Sequence, residues 1–135
     1  MLGERRVLQI AVLLASVVPI SAGLGGSIYG ELFLADQRSS VLLDSHFRYL
    51  SGLLLAIGLA FMSAVPNIER HGGRFRLLTF IVVTGGVARL VGVILLGSAS
   101  ISVMFALVME LVVTPSLAIW QNSLRSVRDL MLVRP

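Results

Sequence analysis

A chain of 135 residues that is 56% hydrophobic and 13% charged, with a mean hydropathy of +0.94, falls outside the composition of soluble domains and reads as a membrane protein. Its net charge of +4 comes from eleven basic residues, all Arg, which mostly lie between apolar stretches and there set orientation, so nucleic acid is not an expected partner. The absence of Cys excludes disulfides, thiolate metal sites and cysteine nucleophiles.

Crossing the hydrocarbon takes about 20 mostly apolar residues in a helix, and four stretches qualify: 7–24, 45–65, 77–96 and 101–120. The first follows Arg5 and Arg6 and precedes Ser21, Ala22 and Gly23, the outline of a secretory signal. Its length and the three later spans favour a crossing. Residues 25–43 then form a long outer connection, a length that is usually functional or carries structure of its own. Within it ELFLAD, residues 31–36, fits a short interfacial helix, or GLGGSIYG, residues 23–30, prolongs the first span.

Pro66 stops the second span, and His71, Gly72 and Gly73 make a flexible turn. GSAS, residues 97–100, folds the third and fourth spans into a tight hairpin. Residues 121–135 place Leu124, Val127 and Met131 on one face with Arg125 and Arg128 beside it, as an amphipathic helix lying in the cytoplasmic interface would. Tyr49 and Trp120, near opposite ends of the bilayer, suit interface anchors.

The predicted architecture is one all-α domain over residues 1–135, an antiparallel four-helix bundle in the membrane with a long outer loop between helices one and two. Arg5 and Arg6, then Arg70, Arg74 and Arg76, then Arg125, Arg128 and Arg134 share one side if the chain crosses four times. The other side has Arg38 and Arg48. The Arg excess places both termini in the cytoplasm and the chain in the cell inner membrane.

Because lipid supplies little hydrophobic drive between helices, small and polar residues mark the faces that meet. The spacing predicts inward stripes of Gln9, Ser16 and Gly23; Ser45, Gly52, Ala56 and Ser63; Gly85, Gly86, Arg89 and Gly92; and Ala106, Glu110 and Thr114. Arg89 stands out. On the insertion scale an Arg near a helix centre costs about 2.5–3.5 kcal/mol, and each Leu, Ile, Val or Phe returns about 0.3–0.6 kcal/mol. The span tolerates the charge, but lipid is not its preferred surrounding. Arg89 and Glu110 both lie roughly 12–13 Å below the GSAS turn at 1.5 Å per residue, which predicts a buried ion pair of bidentate geometry.

Such a pair either fixes the register of two helices or marks a functional site. Asp44, His46, Arg48 and Tyr49 cluster at the outer start of the second span. Asp44 and Arg48 have the spacing of a local helical pair, yet Arg48 stands above the stripe of Gly52 and Ala56, with Glu31 and Asp36 in the loop on the same side. A polar funnel from the outer surface toward Arg89 and Glu110 is the functional expectation. No metal site is expected, since His46 and His71 fall on opposite sides and acids near a lone His, as Glu31 and Asp44 are near His46, are far more often a solvated loop than a mixed oxygen and imidazole site; the residues name no cofactor.

Three segments, DSHFRYLSGLLLAIGLAF at 44–61, GGVARL at 85–90 and MELVVTPSLAIWQ at 109–121, together carry a family likeness. The chain from Tyr29 to Trp120 resembles a bacterial family of short four-helix membrane proteins, the domain-of-unknown-function family four-three-four-five. The resemblance implies four spans and marks His46, Arg48, Arg89, Glu110 and Pro115 as family-type positions; it implies no activity.

The leading functional expectation is a binding or transport module, with Arg48, Arg89, Glu110, His46 and Tyr49 receiving a small anionic or lipid-like ligand. The alternative is a structural or assembly subunit that packs against a membrane-protein partner or another copy of itself. An enzyme ranks third, because His46 and Glu110 are separated by roughly two helical turns of depth.

Overall fold

The structure, a computed structural model, describes residues 2–34 and 40–132. It is all-helical, with no strand among the described residues. Helix α1 spans Leu2–Tyr29, α2 Val41–Ala64 and α3 Gly72–Leu96; the last helix is made of α4 (Ile101–Val108), a π-turn (Met109–Val113) and α5 (Thr114–Leu132). Four helical stretches are long and apolar enough to cross a membrane: Gly3–Phe33, Val41–Asn67, Gly72–Leu96 and Ile101–Ser126. Their most apolar windows are only 22%, 28%, 11% and 6% buried. That much exposed apolar surface suits lipid and not water, so the chain is a multi-pass membrane protein.

The helices are longer than the spacing predicts. α1 runs on through Gly23, Gly25 and Gly26 to Tyr29, and α2 starts at Val41, so both ends of the expected 25–43 loop are α-helix. Gly30–Phe33 is a single 3-10 turn that reaches only the first three residues of ELFLAD, while Asp36 and Arg38 lie outside the described residues. At the other end α5 continues without a break to Leu132, so 121–135 does not begin a separate helix. The side chains of Val127, Arg128 and Met131, and all of Arg134, lie outside the described residues.

The chain divides into two compact units, residues 1–15 with 64–135, and residues 16–63. In the first, Leu8, Val12, Ala64, Val65, Ile68, Phe75, Leu78 and Leu107 are buried. Helix α3 and the last helix run back along one another: Gly72 lies against Arg125, and Gly86 against Glu110 and Leu111. The turn between them is capped from both sides. Gly97 takes φ +67° and returns its N–H to Val93 O at 2.9 Å, and the Ser100 hydroxyl accepts from Val103 N at 3.4 Å.

At the opposite end of this unit, Pro66 leaves carbonyls that a continuing helix would have bonded. Three side chains take them. Gln9 donates to Val65 O at 2.8 Å, Arg5 to Pro66 O at 2.9 Å, and Gln121, only 1% exposed, to Ile68 O at 2.8 Å. These contacts gather the start of α1, the 65–71 connection and α5 at one end.

In the second unit the last turns of α1 pack against α2 at very close range. A Cβ on Gly23 would come within 2.7 Å of Ser51 O, and one on Gly58 within 3.2 Å of Pro19 Cγ. Glycine is needed at both because backbone, or a rigid ring, occupies the space a side chain would take. Ser16, Ser51 and Phe61 are buried here, while Ser45, Ala56 and Ser63 are exposed. The inward face of α2 is therefore turned about one residue from the predicted stripe. On α3 likewise, Phe75, Leu78 and Gly86 are buried, and among the described residues nothing lies within 4 Å of where Gly85 or Gly92 would carry a Cβ.

Candidate functional site

The expected partners Arg89 and Glu110 meet. Arg89 Nε donates to Glu110 Oε2 and Nη2 donates to Oε1, both at 3.0 Å, the side-on bidentate form. Two local features make this approach. Gly86 has no Cβ where Glu110 Cβ would stand 2.9 Å away, so α3 and the last helix can touch. Glu110 also sits inside the π-turn. Pro115 has no N–H for Leu111 O, and its ring would crowd that carbonyl in a regular helix. The chain widens instead, and the Thr114 N–H and hydroxyl both go to Met109 O, the hydroxyl at 2.8 Å.

The pair is not buried by the chain, contrary to expectation: the Arg89 side chain is 40% exposed and that of Glu110 16%. No charged residue belongs to the buried core among the described residues. The geometry of α3 gives the reason. Gly86 occupies the centre of the contact, and Arg89, three residues on, falls about 60° to one side of it.

A guanidinium carries five N–H donors, and two are spent on the carboxylate. Among the described residues the other three have no partner. Each Glu110 oxygen receives one of the two spent donors.

Arg48 is differently placed. Its Nε donates to Asp44 Oδ2 at 2.8 Å, and its Nη1 to Ser27 O at 2.8 Å and Ile28 O at 2.7 Å. It thus closes the last turn of α1 from α2, where unbonded carbonyls and the negative end of the helix dipole favour a cation. Asp44 Oδ1 accepts the Glu31 N–H at 3.0 Å, and Gly30, at φ +62°, turns the chain between them. A Cβ on Gly30 would collide with Asp44 Oδ1 and come within 2.8 Å of Arg48 Nη2. Ser40 caps the start of α2 by accepting from Leu43 N at 3.1 Å.

His46 is exposed and its Nδ1 donates to Leu42 O at 2.9 Å. Tyr49 is 65% exposed. The structure therefore joins Arg89 with Glu110 in the first unit, and Arg48 with Asp44 in the second. Among the described residues no three His, Asp or Glu side chains gather as a metal site would require.

Sequence reasoning missed the roles of Gln9 and Gln121. Their signal was available: the helix break at Pro66 leaves carbonyls of the connection outside a regular helix, and these amides are the polar groups placed in apolar helix within reach of it. The π-turn had a signal too, a Pro five residues after an intramembrane acid.

No curated protein and no solved structure matches the chain significantly. A family model does, over residues 7–121, and the chain accordingly belongs to the family described as domain of unknown function DUF4345.

Proposed function

We propose that this protein is a small multi-pass binding module of the cell inner membrane, whose four helices form one antiparallel bundle with both termini cytoplasmic and a connecting loop on the outer side. Its charged site is Arg89 with Glu110, in the outer half of the bilayer, and it takes a small anionic or lipid-like ligand. The observation that carries this reading is a bidentate pair inside an apolar span, 40% exposed at Arg89 and with guanidinium donors left over. Polar groups held at such depth mark ligand or ion sites by default. Arg48, His46 and Tyr49 serve the outer end, Arg48 chiefly by holding the end of α1 in place.

The test is native mass spectrometry of protein extracted in mild detergent. The wild type carries a small molecule or lipid that Arg89→Gln loses while its helical content is kept. Equal retention by both would remove the site.

A second reading has its own support. Arg48, Gln9 and Gln121 all spend donors on backbone carbonyls, as polar groups do when they fix helix positions in an assembly subunit. On that reading the exchanged pair, Arg89→Glu with Glu110→Arg, restores stability and every cellular phenotype together, whereas a ligand site stays impaired.

A further inference from the structure

Resting on the binding reading above, and choosing its lipid-like over its anionic ligand, the geometry points to a specific ligand class: we infer that the Arg89–Glu110 pair receives the carbonyl oxygen of a neutral molecule with a hydrocarbon tail, an ester, ketone or amide, and discriminates against anions. Three observations lead there.

The first is charge. The carboxylate meets the guanidinium through two bonds of 3.0 Å, so the pair is neutral as a unit. An anion approaching the free Nη1 edge gains little field, because Glu110 opposes it from the far side of the same guanidinium. A carbonyl oxygen, carrying a dipole and no net charge, meets no such opposition.

The second is polarity of bonding. Arg has only donors, and both Glu110 oxygens are already engaged. What remains on Arg89 is three N–H groups, on a side chain 40% exposed against 16% for Glu110, so the more accessible side of the pair calls for an acceptor. A carbonyl with two lone pairs matches that side, and needs no donor of its own to reach the second lone pairs of Glu110.

The third is depth and access. Arg89 lies seven residues before the end of α3 at Leu96, about 10 Å along the axis, in a hydrocarbon layer about 30 Å thick. That is acyl-chain depth. Bringing an ion there without a counter-charge is costly, and a neutral carbonyl far less so. Among the described residues nothing lies within 4 Å of where Gly85 or Gly92, one turn to either side of Arg89, would carry a Cβ, which leaves room for a chain of methylenes along α3 with its polar end at the guanidinium.

The experiment uses the full chain in lipid nanodiscs with two probes, methyl palmitate and palmitate at a pH where it is ionised, each isotope-labelled at the carbonyl carbon. Infrared difference spectra report the hydrogen-bonded carbonyl band as probe is added. Methyl palmitate should give a saturable band that Arg89→Met removes, and palmitate should bind about tenfold more weakly or worse. Glu110→Gln, which keeps the shape but leaves the guanidinium unbalanced, should reverse that preference; this second variant answers the question even if Arg89→Met does not fold. Palmitate binding the wild type as tightly as the ester overturns the neutral-carbonyl inference and leaves the binding site standing. Absence of an Arg89-dependent band with either probe overturns both.

Discussion

Polar side chains in this protein mostly serve carbonyls. Gln121 is the clearest case: it is 1% exposed and its amide bonds Ile68 O at 2.8 Å. Gln121→Leu would make the chain more apolar, yet it strands a buried acceptor, which costs about 1–3 kcal/mol. Unfolding of the purified protein by SDS titration should show that loss, whereas the exposed neighbour Asn122→Leu should leave the midpoint unmoved. Gly30 makes the complementary point about space. At φ +62°, with Asp44 and Arg48 filling the volume of any Cβ, it leaves Ala no unstrained fit. Gly30→Ala should destabilise by about 1–3 kcal/mol and speed amide exchange at Glu31, whose N–H depends on Asp44. Unchanged exchange there would mean that Asp44 and Arg48 do not need Gly30 to hold the end of α1.

At the scale of elements, the π-turn Met109–Val113 decides where Glu110 points. A one-residue widening rotates everything before it by about 100° relative to α5. Pro115→Ala supplies the missing N–H to Leu111 O and removes the reason for the widening, so α4 should rotate and carry Glu110 off Arg89. A double-mutant cycle over Arg89→Met and Glu110→Gln should lose about 1 kcal/mol or more of coupling in the Pro115→Ala background; full retention would show that packing alone, not the proline, maintains the turn. The elements also show what could be read beforehand. Span count, the GSAS turn and the Arg89 to Glu110 match follow from length and periodicity, which local sequence encodes. The inward faces of α2 and α3 did not, because each helix carries two small-residue stripes, Ser45, Gly52 and Ala56 beside Ser51 and Gly58 on α2, and Gly85 and Gly92 beside Gly86 on α3. Which stripe packs depends on the partner's bulk: Ile20 and Pro19 select Gly58, and Leu111 selects Gly86. The pair's exposure was illegible for the same reason, since one residue of rotation separates the centre of a helix contact from its edge.

For the molecule as a whole, sidedness decides what the Arg89–Glu110 pair can meet. Arg5, the 65–71 connection and Gln121 are tied together at one end of their unit, so the basic segments holding Arg5 and Arg6, Arg70 to Arg76, and Arg125 share that end, and the Gly97 turn lies at the far end of α3. On the topology proposed above, the excess of Arg puts the first end in the cytoplasm. The chain has no Cys, so single substitutions report cleanly. Ser98 lies in the exposed turn, and the position of Gly73 is open. Ser98→Cys should react with a membrane-impermeant maleimide in intact spheroplasts, and Gly73→Cys only after lysis. The opposite pattern would invert the protein and put Arg89 in the inner half of the bilayer, where its spare donors would face molecules arriving from the cytoplasm. Labelling of both before lysis would contradict a membrane crossing by α3, and with it the argument from depth that makes a neutral, tailed carbonyl the matched ligand.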